Sequence, residues 1–100
     1  MQVKEFQKKI VEFAKKWVKK QKYNPTEENT FIHLVEEVGE LARQYVNKEK
    51  RKEKYSKEEL ENAIGDILTH VFWLAHLRNL DIEELVLKII KEEEERILKG

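Results

Sequence analysis

No cysteine occurs among the 100 residues, so a disulfide framework is excluded. No apolar run approaches the ~18–20 residues that a membrane-spanning helix requires. The basic N-terminus has no apolar segment behind it of the kind a secretory signal carries. A soluble, cytoplasmic chain with no membrane partner is therefore expected. Net charge is missing too: 20 Lys and Arg balance 20 Asp and Glu, so no long-range field recruits nucleic acid or anionic lipid. Proline occurs once and glycine three times, and no stretch alternates apolar and polar residues for long enough to specify a strand. What remains is helix-forming sequence of a length that makes one small domain, 1–100. Such a domain buries only ~60–70% of the surface its unfolded chain exposes, so a partner subunit would help it.

Four helices are predicted. In the first, Val3, Phe6, Ile10, Phe13, Ala14 and Trp17 recur every three or four residues as an apolar stripe with lysines opposite, running to about Gln21. The segment YNPTEEN breaks that helix at Asn24 and Pro25 and caps the next at Thr26. Helix two carries Phe31, Leu34, Val35, Val38, Leu41, Ala42 and Tyr45 as its stripe, then fades into NKEKRKEKY, which reads as a solvated loop. Helix three opens with SKEE, where Ser56 and Glu59 form a capping box. From Leu60 to Ala75 it is apolar around most of its circumference, the pattern of a central helix. Asp81 and Glu84 form a second box, with Leu80 and Leu85 as a hydrophobic staple, so a helical hairpin turns near Asn79. The last helix is expected to bury Leu85, Val86, Ile89 and Ile90, while its polar end, KEEEERILKG, reaches past the core or onto a neighbouring chain.

Acidic residues crowd into HLVEEVGELARQ, His33 to Gln44, which holds Glu36, Glu37 and Glu40. At about 100° per residue, Glu37 and Glu40 are neighbours on one face, Glu36 lies beside Glu40, and His33 sits one turn earlier. Glu37 is nearest the apolar stripe, so at least one carboxylate should point toward the interior. Like charges there repel, and burying them costs several kcal/mol unless they are neutralised. A hard divalent cation, Mg²⁺ or Mn²⁺, is the usual neutraliser of an all-oxygen set. A solvated acidic face is the other reading of the same residues. Asp66 bears on the choice, because it is the only acid between Glu61 and Asp81 and sits in the most apolar helix, where an unpaired carboxylate is expensive. Asn62, Ala63, His70 and Trp73 share its face. If helices two and three pack antiparallel, that stripe meets the glutamate ridge; a Lys or Tyr partner would satisfy Asp66 as well.

The succession VEEVGEL, Val35 to Leu41, then AIGDIL, Ala63 to Leu68, then HLRNLDIEEL, His76 to Leu85, resembles the MazG-type all-α nucleotide pyrophosphohydrolases. Their pattern is EExxE, a spacer, and a helix with an aspartate in a (Gly/Ala)-Asp-hydrophobic context. The similarity spans Thr26 to Arg96. It implies an all-α, four-helix bundle-like protomer that packs into a homodimer or homotetramer. It also implies Mg²⁺-dependent hydrolysis of a nucleoside triphosphate to monophosphate and pyrophosphate. Carried over by position, it makes Glu37, Glu40 and Asp66 the metal-holding catalytic carboxylates and Glu36 an auxiliary one. One position departs: the family's ExxD pattern has a glutamate one turn before the aspartate, and this chain has Ala63. Three acids can still hold one Mg²⁺, with phosphates and waters completing an octahedron. His70, one turn after Asp66, is either a substitute ligand suited to Mn²⁺ or softer ions or an ordinary hydrogen-bonded histidine.

Trp73 and Trp17 are candidate stacking surfaces for a base, and core packing explains both at least as well. Lys88, Lys91 and Arg96 are candidate phosphate contacts on the last helix, where the resemblance implies a Lys or Asn and an Arg; EEEERIL supplies Arg96 but adds acids. A di-iron bundle needs Glu-x-x-His pairs, and the residues three before His33, His70 and His76 are Thr30, Ile67 and Trp73, which excludes it. A catalytically inactive oligomerisation or nucleotide-binding module of the same fold is the alternative. Lysines of helix one and the KEKRKEK run offer basic faces to nucleic acid, but their acidic neighbours and the zero net charge place that reading third.

Overall fold

Three of the four helices begin on a residue whose side chain closes the first turn. Thr26 Oγ1 accepts from Asn29 N at 3.0 Å, Ser56 Oγ from Glu59 N at 3.1 Å, and Asp81 Oδ1 from Glu84 N at 3.1 Å. Each cap satisfies one donor the helix leaves orphaned and contributes about 1 kcal/mol. The computed structural model describes residues 2–21 and 25–100, and the helix break expected at Asn24 lies outside them. The helices are α1 (Val3–Gln21), α2 (Glu27–Lys50), α3 (Lys57–Leu77) and α4 (Ile82–Lys99), with a single 3₁₀ turn at Lys52–Lys54. The described residues contain no strand, and the fold is the all-α one expected. The hairpin turns where predicted: Asn79 takes φ 57°, a left-handed conformation asparagine tolerates better than most residues. Leu80 N donates to Ala75 O at 2.8 Å and Asn79 N to His76 O at 3.0 Å, the paired bonds that end a helix on a left-handed residue.

Antiparallel packing of α2 on α3 organises the protomer. Arg78 Nη1 meets Glu27 Oε1 at 2.6 Å, the His33 and His70 rings lie 6.4 Å apart, and Gln44 Nε2 donates to Glu59 Oε2 at 2.9 Å. From His33 to Gln44 along α2 is as many residues as from His70 back to Glu59 along α3, so one register holds over this length. Helix α1 crosses α3, with Ile10, Val11, Phe72 and Ala75 buried and Phe6 edge-on to Phe72 at 5.4 Å. Gln7 ties α1 to the hairpin turn, donating from Nε2 to Leu80 O at 3.1 Å.

Four expectations are corrected. The NKEKRKEKY run is not a loop throughout: Asn47 to Lys50 continue α2, and Lys52–Lys54 form the 3₁₀ turn. Buried Asn47 stabilises that ending by donating from Nδ2 to Lys54 O. The Ser56 capping box is only half formed, because Gln44 takes over the returning half. Ser56 N donates to Gln44 Oε1 at 2.9 Å, and Gln44 Nε2 holds the Glu59 carboxylate. This insertion turns a different stripe of α2 inward. Thr30, Leu34, Glu37, Leu41, Gln44 and Asn47 are buried or half-buried, whereas Phe31, Val35, Val38 and Tyr45 are exposed. Leu85, Val86, Ile89 and Ile90 of α4 are likewise exposed rather than buried, since α4 touches the rest of the protomer only lightly, along α1.

The surface left open is large. The chain exposes 8307 Å², where a compact monomer of 12.1 kDa exposes about 6,000 Å². Its radius of gyration is 16.7 Å, against about 13 Å for a compact chain of this length. No described helix is long and apolar enough to cross a membrane.

Candidate active site

The register that pairs His33 with His70 also sets Glu37 opposite Asp66 and Glu40 opposite Ala63. Glu37 and Asp66 line one cavity of about 370 Å³, together with Trp17, Trp73, His33 and His70. Ala14 and Val18 of α1, Pro25, and the hydroxyl residues Thr30 and Thr69 complete its wall. Glu37 is half-buried, as the boundary position predicts, but Asp66 is exposed, so its carboxylate bears no burial cost in the protomer. That cost was the reason to seek a partner for it; what brings Asp66 to Glu37 is helix register instead.

The remaining sequence candidates separate from this pair. Glu36 is exposed and faces His33 Nδ1 at 3.5 Å, and Glu40 is exposed; neither lines the cavity. Among the described residues no three His, Asp or Glu side chains converge closely enough to hold a metal ion. Ala63 is 5% exposed, so the position that carries a glutamate in the family pattern is here a packed part of the α2–α3 seam. Lys88, Lys91 and Arg96 stand exposed on α4, away from the cavity, with Lys88 beside Glu92 at 4.0 Å and Arg96 beside Glu93 at 3.2 Å.

His70 has an ordinary structural role as well as a place at the cavity: its Nδ1–H donates to Asp66 O, one turn back, at 2.7 Å. Trp73 stacks on His76 at 5.1 Å between ring centres, and its Nε1 is a buried donor without a partner, at a cost of about 1–3 kcal/mol. Thr30 and Thr69 were not singled out from the sequence. Their spacing from functional neighbours, three residues before His33 and three after Asp66, was the available sign that they share that face.

In chemical terms the cavity joins two carboxylates from facing helices to two indole surfaces. Hard oxygen donors of this kind fit Mg²⁺ or Mn²⁺, and flat aromatic walls fit a base. No curated protein matches the chain. The model of the MazG nucleotide pyrophosphohydrolase domain matches residues 25–97, and the chain belongs to that family.

Proposed function

We propose that the chain hydrolyses a nucleoside triphosphate to monophosphate and pyrophosphate at the cavity between α1, α2 and α3. Membership of the MazG family implies a nucleotide substrate and pyrophosphohydrolase chemistry. The observation that carries the assignment to this cavity is that Glu37 and Asp66, from antiparallel helices, line it together with Trp17 and Trp73. In the reaction the α–β phosphoanhydride is cleaved and one water is divided between the two products. Glu37 and Asp66 would hold Mg²⁺ or Mn²⁺, with phosphate and water oxygens completing its shell and Glu40 and Glu36, which lie outside the cavity lining, as auxiliary carboxylates. When bound, the cation neutralises phosphate charge and favours charge building on the leaving oxygen. The chain's own part is positioning: the tryptophans pack the base, and the half-buried Glu37 and facing Asp66 fix where the phosphates lie.

The exposed surface supports a homodimer or homotetramer. The excess over a compact monomer, 8307 Å² against about 6,000 Å², matches one partner's share of an obligate interface of about 2,000–5,000 Å². The outer stripe of α2 and the apolar side of α4 are the surfaces available. In such an assembly Lys88, Lys91 and Arg96 could reach a neighbour's phosphates. The cytoplasm, where nucleoside triphosphates are held, is the corresponding location.

The test is pyrophosphate release from a panel of ribo- and deoxynucleoside triphosphates with Mg²⁺ and with Mn²⁺. Asp66→Ala should lower the rate by about a hundredfold or more. Release unchanged by Asp66→Ala would sink the assignment to this cavity. Ala63 favours one other reading, a binding module without turnover, because the chain lacks the family's fourth carboxylate. Nucleotide binding with no release by the natural chain, and release by Ala63→Glu, would select that reading.

A further inference from the structure

Helix α4 leaves the protomer after its first turn. Ile82 and Glu83 are half-buried, whereas every residue from Glu84 to Gly100 is exposed. A helix of 18 residues gains most of its stability in a protein by packing an amphipathic face, so α4 needs a surface to lie on. Val86, Ile89 and Ile90 form its apolar side and remain open. At about 100° per residue, Glu93 and Glu94 continue that side one turn further on. Glu92 and Glu93 pair within the helix, with Lys88 and Arg96; Glu94 and Glu95 meet no cation among the described residues. The open face of α4 is thus an apolar stripe that runs into acids.

Helix α1 carries the complement. It holds seven lysines and two glutamates, a net charge of +5, in a chain whose total is zero. Lys4 pairs with Asp81 at 3.6 Å, whereas Lys8, Lys9, Lys15, Lys16, Lys19 and Lys20 are exposed and meet no acid among the described residues. Phe6 and Phe13, 44% and 59% exposed, run alongside Lys9 and Lys20 on the helix surface. From Val86 to Glu95 along α4 is within one residue of the span from Phe6 to Lys16 along α1, so parallel helices match both parts at once. We infer that α4 of one copy lies on α1 of a second copy, reciprocally in a homodimer. Val86, Ile89 and Ile90 then cover the Phe6–Phe13 stripe, and Glu92 to Glu95 enter the lysines of the C-terminal half of α1. A nucleic acid fits this surface less well. Its phosphates would meet Glu5 and Glu12, which interrupt the arc of lysines, and would leave the phenylalanines uncovered. The inference rests on the homo-oligomer reading above and adds to it which surfaces meet.

Sedimentation of the natural chain and of two charge-reversed chains tests this. One carries Lys15→Glu, Lys16→Glu, Lys19→Glu and Lys20→Glu; the other carries Glu92→Lys, Glu93→Lys, Glu94→Lys and Glu95→Lys. All eight residues are exposed, and helical circular dichroism checks that each variant folds. Alone, each variant sets like charges against like in both contacts, and its dimer Kd should rise about a hundredfold or more. Mixed in equal amounts, the two set opposite charges together again in both contacts, so a mixed dimer should form with a Kd within about tenfold of the natural one. An oligomer whose size neither reversal changes, or a mixture no tighter than the separate variants, would overturn the inference while leaving the homo-oligomer reading intact. So would a lysine-reversed chain that keeps its natural size but loses binding to a short DNA duplex, which would assign the lysines to nucleic acid. A natural chain that sediments as a 12.1 kDa protomer would defeat both the inference and the reading. Should a variant not fold, the natural chain decides: its dimer Kd should rise about tenfold or more between about 0.05 and 0.5 M NaCl, and a Kd insensitive to salt would overturn the inference.

Discussion

Replacing Ala63 with glutamate perturbs the α2–α3 seam at a position the structure constrains closely. Ala63 is 5% exposed and stands in register with Glu40. Without metal, the longer side chain enters a packed seam, at about 1–3 kcal/mol for overpacking. It also brings a second carboxylate near Glu40, which adds about 1 kcal/mol of repulsion in partly solvated surroundings. The sum, about 2–4 kcal/mol, corresponds to a fall in Tm of roughly 10–25 °C for a domain of this size. A divalent cation that binds only the folded chain returns about 2.7 kcal/mol when present at a hundred times its Kd. Thermal unfolding in EDTA and in Mg²⁺ measures both effects. Ala63→Gln, similar in shape but uncharged, separates them: it should lose about as much from packing and gain no more from Mg²⁺ than the natural chain. If Ala63→Glu melts in EDTA within about 3 °C of the natural chain, less than 1 kcal/mol on the same scale, the seam is open at this position. The register that sets Ala63 against Glu40 would then be refuted.

Gln44→Leu removes the amide that bridges Ser56 N and the Glu59 carboxylate. It should cost about 2–3 kcal/mol, chiefly from the Ser56 N–H left unpaired, seen as a lower urea midpoint at unchanged m; a loss below about 0.5 kcal/mol would show that the bridge is dispensable. Val38→Glu and Ile90→Glu each place a charge on an exposed apolar surface and should shift sedimentation toward the 12.1 kDa protomer with helical circular dichroism retained. A natural chain that already sediments as a protomer at micromolar concentration would contradict the proposed assembly.

Several features were legible because they depend on neighbours in sequence. Thr26, Ser56 and Asp81 cap helices through atoms two or three residues away, and Asn79 turns the hairpin through the backbone it adjoins. The pairing of Glu37 with Asp66 was also legible, since an antiparallel hairpin was the arrangement considered and Glu37 lay nearest the apolar boundary. The separation of Glu36 and Glu40 from that pair depends on how far α2 is rotated about its axis, which no local pattern specifies. Nor could the role of Thr30 and Thr69 be read from their identity. A threonine in a helix acquires a direction of hydrogen bonding only once its rotamer is set.

Composition, periodicity and capping chemistry thus determined an all-α chain and the starts of three helices. The tertiary structure decided which of two stripes on α2 faces inward. Phe31, Val35, Val38 and Tyr45 are more apolar than Thr30, Glu37, Gln44 and Asn47, so hydrophobicity alone points to the first set. The second set contains amides whose partners, Ser56 N, Glu59 and Lys54 O, exist only after α3 has docked. Burial with those bonds made costs little, while the apolar stripe remains on the outside, in a protomer that exposes more surface than a compact monomer needs.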